Sequence, residues 1–480
     1  MKHHIAAFSL FVLACPFNAA AQQPPPSLPL AVAGVTVIDV RDGSRTRHAT
    51  IVIDAGRITA VGASALLRIP PGARVLNARG KYVIPGLWDL HTHIQNQREL
   101  DAFFPLLVAH GILGIRDTGG LLPREFRELG KRHQYVPHVV ACGTAVDGPA
   151  PAGVADAAIV DSLADQGVDY IKVLSMLPRE RFLAIVARAK QRGLHVAGHV
   201  PIAVTAAEAS DAGLRTMEHL DEILLNISSR ETELRAARLA ALSGRTTFVD
   251  QVLIQAFPPI EPFLSDWSDA KASALFKKFV ANHTWQTPTL ELYRVWGAAL
   301  GDDPLFWKNP NLAFMPKDWH DSWRPERSQF LSGVPPSERP GVILRMKAWY
   351  RSQLDVVLRM HAAGVGFLAG TDVSQWNFMV PGASLHDELA RFVEAGLSPL
   401  EALQTATINP AQYLGITDSA GTIAPGKRAD FLVLDSDPTV NIANAKRISA
   451  VVLGGRLLDR TELNRMFDSA RQRAATEATP

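Results

Sequence analysis

Apolar residues recur along this chain with two different periods. From residue 28 to about 84 the runs are short and alternating (AVAGVTVIDV, ATIVIDAGRITAVG, ARVLNARGKYVI), rich in Val and Ile and closed by Gly, Asp or Arg turns. That is the pattern of β-strands. It returns near the other end, in ADFLVLDSDP (429–438) and ISAVVLGGRLL (448–458). Between these ends, short apolar runs alternate with stretches of helical period. VIPGLWDLHTH, GILGIRDTGG, PHVVACGTAV, GVDYIKVL, LHVAGHVP, RTMEHL, TWQTPTL and GVGFLAGTD read as buried strands. Eight such β-then-α units predict an α/β fold, a parallel (β/α)8 TIM barrel. The β-rich ends are each too short for a domain, so they are expected to pair into one small flanking β-sandwich. The predicted organisation is a first sandwich part over 28–84, the barrel over 85–420, a second sandwich part over 421–465 and a flexible tail over 466–480.

The first residues follow another pattern. Lys2 precedes an apolar stretch over 5–14, too short to span a bilayer as a mature helix, and Ala19, Ala20 and Ala21 offer a small-residue cleavage site. Residues 1–21 are therefore expected to be a signal peptide and QQPPPS (22–27) an extended linker, making the protein exported, periplasmic or secreted. The alternative is a lipoprotein signal, in which Cys15 carries a membrane anchor. The only other cysteine is Cys142, so no disulfide is available to the mature chain. Lys plus Arg number 49 against 47 Asp plus Glu, a formal net charge of +2. That balance gives no electrostatic reason to expect a nucleic-acid partner. The expected partner is a small-molecule substrate, with self-association left open.

Strand ends carry the chemistry of such barrels, and here they are polar. Side chains two apart on a strand share a face, so His91 and His93 project together, with Asp89 on the same side. Alone, the pair reads equally well as metal ligands or as hydrogen-bonded core histidines. The other strand ends supply Lys172, His199, His219 and Asp372, and four histidines with an aspartate at one barrel mouth point to a divalent metal. Arg116 and Asp117 are expected to form a strand-end ion pair, and His195, four residues before His199, to lie in the core. Asp89 would either orient a ligand histidine or bond structurally. Gly198 would let backbone pack closely beside His199.

PGLWDLHTH, GVDYIKVL, HVAGHV, TMEHL, LAGTD, NPAQYLGI and GTIAPGKRADFLVLD together resemble the amidohydrolase superfamily, over nearly all of the chain beyond residue 27. Within it the chain looks closest to the imidazolonepropionase-like group that includes Xaa-Pro dipeptidases. The resemblance implies two divalent ions, Zn2+ being the favoured metal. His91, His93 and Asp372 would hold one, His199 and His219 the other, and Lys172, carbamylated by carbon dioxide, would bridge them. It implies hydrolysis of a C–N bond in a dipeptide or N-acyl amino acid by a metal-bridging hydroxide, with Asp372 as catalytic base and then acid. The alternatives are a one-metal hydrolase or deaminase of a cyclic nitrogen compound, and an exported binding protein without turnover.

Residues 220–360 fit this pattern least and hold seven of the nine tryptophans. They are expected either to wall the substrate site or to bury their own helices. Tyr293 and Arg294, just after the seventh strand, are candidate grips for a substrate carboxylate.

Overall fold

The computed structural model describes residues 28–220, 222–243, 266–332 and 334–476. The expected signal peptide and linker lie outside these residues. The β-rich ends pair as their alternation requires. Strands β1 (Leu30–Ile38), β2 (Arg45–Asp54), β3 (Arg57–Ala63), β4 (Arg74–Asn77) and β5 (Tyr82–Pro85) come from the first end. After the central region come β13 (Phe431–Leu434), β14 (Ile448–Leu453) and β15 (Arg456–Asp459). All belong to one eight-stranded sheet, ordered β15-β14-β13-β5-β1-β2-β3 with β4 also on β1. The seam between the chain ends is antiparallel, from Phe431 opposite Pro85 to Leu434 opposite Tyr82. Alternation divides its faces. Val32, Val35, Ile51, Val83, Phe431 and Val433 enclose a small core of their own. Ile84, Leu432, Leu434 and Leu453, on the other face, join the main core. Burial on both sides explains why β13 and β14 are apolar at nearly every position.

The central strands are parallel. β6 (Leu87–Thr92), β7 (Ile112–Asp117) and β8 (His138–Ala141) form one sheet. β9 (Ile171–Val173), β10 (Val196–Gly198), β11 (Leu214–Glu218) and β12 (Trp285–Thr287) form another. Isolated parallel bridges connect them, from Val146 to Val173 on one side and from Gln286 to Phe367 and Thr92 to Val373 on the other. The run GVGFLAGTD is thus not an assigned strand. It lies between β12 and β6 by single bonds, Leu368 N to Gln286 O at 2.9 Å and Asp372 N to His91 O at 2.8 Å. Among the described residues the assigned strands do not form one continuous closed sheet.

One expectation changes and one open alternative is decided. Residues 466–476 continue a helix, Arg460–Thr476, instead of a flexible tail; it buries Leu463, Ala470 and Ala474 and packs on the helix Gln97–Ala109. In the aromatic region Trp296, Trp319, Trp323 and Trp349 are buried in the main core, and Trp267 and Trp307 pack partly buried against it. These indoles bury their own helices. No described helix is long and apolar enough to cross a membrane.

Candidate metal centre

All six side chains expected to hold metal leave corresponding ends of the parallel runs. His91 is the fifth residue of β6, with His93 just beyond it; Lys172 is central in β9; His199 and His219 directly follow β10 and β11. Asp372 closes the eighth run. Two local features bring them together. Gly198, at φ +142°, lies so close to β9 that a Cβ would meet Val173 O at 2.1 Å, so only glycine admits this approach beside His199. His219 and Asp372 adopt left-handed backbone, at φ 69° and 62°. Such conformations cost of order 1–3 kcal/mol each and persist only where the surroundings enforce them.

The rings converge. Centroids lie 5.3 Å apart for His91 and His93, 4.7 Å for His91 and His219, and 4.8 Å for His199 and His219. His91, His219 and Asp372 offer ligand atoms all within 4.8 Å of one another. Asp372 Oδ1 is 3.0 Å from His93 Nε2 and 3.3 Å from His91 Nε2. Asn377 donates its amide to the other oxygen, Oδ2, at 2.8 Å.

In every imidazole the protein engages Nδ1. His91 Nδ1 lies 2.8 Å from Glu218 Oε2 and His93 Nδ1 3.1 Å from Gly119 O. His199 Nδ1 meets Ser175 Oγ at 2.7 Å, and His219 Nδ1 meets Thr289 Oγ1 at 2.8 Å. A carboxylate or carbonyl can only accept, so His91 and His93 carry a proton on Nδ1, which leaves Nε2, the atom facing Asp372, as the one a metal would take. Ligating histidines are held in this way. His91 Nε2 and Lys172 Nζ are buried without an aligned hydrogen-bond partner. Such orphaned groups are costly unless something else binds there, and this donor set fits divalent metal.

Electrostatics agree. Burial, with Lys172 and neighbouring imidazoles, holds His199 well below its usual pKa, and burial takes His219 down to about 3, so both are neutral and available as ligands. Burial lowers Lys172 toward its neutral amine. Burial pushes Asp372 up, but His91 and His93 outweigh it and hold the carboxyl well below the usual range.

The sequence reading missed Glu218. Fully buried, it joins His91 to Arg116, whose Nη2 reaches Glu218 Oε1 at 2.8 Å while its Nε donates to Leu90 O at 2.6 Å. An acid inside the apolar strand RTMEHL was the available signal. The expected Arg116–Asp117 ion pair is therefore not formed: adjacent strand residues face opposite ways, and Asp117 instead accepts Ile94 N at 2.7 Å. Asp89 accepts the His91 and Thr371 backbone amides and the Thr371 hydroxyl, so it bonds structurally and does not touch the imidazole. His195 stacks on Tyr170 at 5.8 Å, in the core as expected. Neither expected carboxylate grip is placed as one. Tyr293 is buried and donates to His219 O at 2.6 Å, and Arg294 pairs with Glu291. Beside the centre a small cavity of about 10 Å³, room for about one water, is lined by Ser175, His199, Glu218, Leu220 and Arg238.

Four imidazoles, a carboxylate and a buried lysine at the ends of parallel runs define a candidate metal centre on an α/β scaffold. Residues 308–458 match the model of the Amidohydrolase family. It is 24% identical over 433 residues to adenine deaminase 3 of Rhizobium meliloti, a match covering 88% of this chain and 56% of that protein. The chain thus spans about half the length of that curated relative. Among solved structures, a putative prolidase from Bifidobacterium longum superposes with a TM-score of 0.63 at 22% identity, covering 92% of this chain and 99% of that one. A Xaa-Pro dipeptidase with bound methionine gives 0.61 at 18% identity, over 90% and 100%. At these identities the likeness is one of fold.

Proposed function

We propose that this chain is a metal-dependent hydrolase of C–N bonds in a small amide, a dipeptide or N-acyl amino acid, with the parallel runs acting as the staves of a (β/α)8 barrel. The observation carrying this reading is the convergence of His91, His219 and Asp372 within 4.8 Å, with Nδ1 of each imidazole already engaged by protein. His91, His93 and Asp372 would hold one divalent ion, Zn2+ being the favoured metal, and His199 and His219 a second. Lys172 would bridge them as a carbamate: its amine, which burial moves toward the neutral form, would in that form add carbon dioxide and release one proton. Bound ions of this kind acidify water and polarise a carbonyl.

The chain's own residues do the rest. Asp372 Oδ1, facing the histidines while Asn377 fixes Oδ2, takes the proton of the attacking water and returns it to the leaving nitrogen. The C–O bond forms first, and the C–N bond then breaks as its nitrogen takes that proton, giving a carboxylic acid and an amine.

The test is a panel of dipeptides, N-acyl amino acids, cyclic amides and adenine offered to Zn2+-loaded protein. Hydrolysis of a dipeptide or N-acyl amino acid is expected. Deamination of adenine with every amide ignored would instead favour the second reading, which the Rhizobium relative's name supports. The signal-like residues 1–21 support export, which N-terminal sequencing of secreted protein would test through a start near Gln22 or, for the lipoprotein alternative, at Cys15.

A further inference from the structure

The helix Leu290–Ala299 begins in an unusual way. Thr289 occupies its N-cap, where a threonine hydroxyl ordinarily accepts a backbone N–H of the first turn. Here it makes no such bond. The residue is left-handed, at φ 49°, and its hydroxyl meets His219 Nδ1 at 2.8 Å. The diverted cap leaves the first amides of the helix in need of an acceptor, because no intrahelical partner exists for them.

Glu388 supplies it from the helix Ala383–Glu394. Completely buried, its carboxylate accepts Leu290 N at 3.0 Å and Glu291 N at 2.7 Å. Desolvation pushes the carboxyl up to about 8, while the two amides favour its ionised form, as does the positive end of the helix. One turn on, Tyr293 donates to His219 O at 2.6 Å, so the same helix holds His219 by backbone and ring.

We propose that Glu388 is a positioning residue for His219: by capping this helix from its neighbour, it releases the Thr289 hydroxyl to orient the His219 imidazole. The proposal rests on reading His219 as a metal ligand. Nothing in the strand-end pattern of the sequence points to Glu388, which reaches the centre through two intermediaries.

The test is a double-mutant cycle on the full chain, reading Zn2+ affinity by chelator competition and thermal midpoint in parallel. Glu388→Gln keeps the shape but turns an amide N–H toward a backbone N–H; Thr289→Val removes only the hydroxyl. Each is expected to weaken Zn2+ binding by about tenfold or more, as loss of a residue supporting a ligand does. The double variant should be no weaker than the weaker single, and Thr289→Ser should bind as wild type. Glu388→Asp, which keeps the charge but shortens its reach, gives the same direction should Glu388→Gln not fold. Multiplying affinity losses, or a lowered midpoint with Zn2+ affinity within twofold of wild type, would overturn the proposal. Failure of wild type to bind Zn2+ would overturn the metal reading itself, and the proposal with it.

Discussion

Glu218→Gln probes the centre from beneath. The carboxylate has two duties, Oε1 accepting from Arg116 and Thr216 and Oε2 facing His91 Nδ1. An amide of the same shape can perform only one. With its oxygen kept toward Arg116 and Thr216, its NH2 meets the Nδ1–H of His91. The imidazole must then move its proton to Nε2, the atom that would bind metal. Arg116 and Glu218 have no exposed side-chain surface, so the guanidinium is also left buried beside a neutral group. Breaking a pair of this kind costs about 3–5 kcal/mol, a large part of an ordinary stability of about 5–15 kcal/mol. Losing the support of a ligand histidine weakens metal binding by about 10–100-fold. Chemical denaturation of chelator-treated protein reads the first quantity, and competition against a zinc chelator the second. Both should move. A variant that binds Zn2+ as tightly as wild type, with unfolding free energy within about 1 kcal/mol, would refute this account of Glu218.

Asn377→Ala should lower turnover about tenfold with KM little changed, because one Asp372 oxygen loses its 2.8 Å amide; steady-state kinetics with unchanged turnover would show that Asp372 needs no such support. Trp323→Phe keeps the ring beside Phe378 but loses the 2.7 Å bond to Gln375 O, and should cost about 0.5–1.5 kcal/mol of stability in denaturant melts. Lys172→Ala should reduce bound metal toward one ion per chain by elemental analysis, with a small carboxylic acid partly restoring activity; two ions retained would remove lysine from the bridge. Burial raises Asp169 from 3.8 to about 6, so its stabilising contribution is full below pH 3.8 and lost as pH rises through about 6. The difference in stability between wild type and Asp169→Asn should therefore shift by about 1–2 kcal/mol between pH 4 and 7, allowing for its partial exposure; a flat difference would contradict that.

Much of this was legible in the sequence because two periodicities are strong. Apolar alternation located the end strands and their pairing, and polar residues closing apolar runs located His91, His93, Lys172, His199, His219 and Asp372. The eighth run was less regular than its apolar pattern suggested, because it turns to present Asp372 in a left-handed conformation. Glu218 was missed although it adjoins His219, since one acid within an apolar strand reads as an interruption until its partner Arg116, from β7, is in view. Thr289 and Glu388 had no local signature, because their roles arise where two helices distant in sequence meet. Composition marked the tryptophan-rich region but left two readings open, and burial of its own helices is the one borne out for Trp296, Trp319, Trp323 and Trp349.

The central claim is that Asp372 moves the proton in a metal-dependent C–N cleavage. Turnover of the best amide in the panel, measured for Zn2+-loaded wild type and Asp372→Asn with bound metal counted in the same samples, tests it most directly. The expected result is a loss of at least about a hundredfold with the metal retained. Equal turnover in the two proteins would contradict the mechanism.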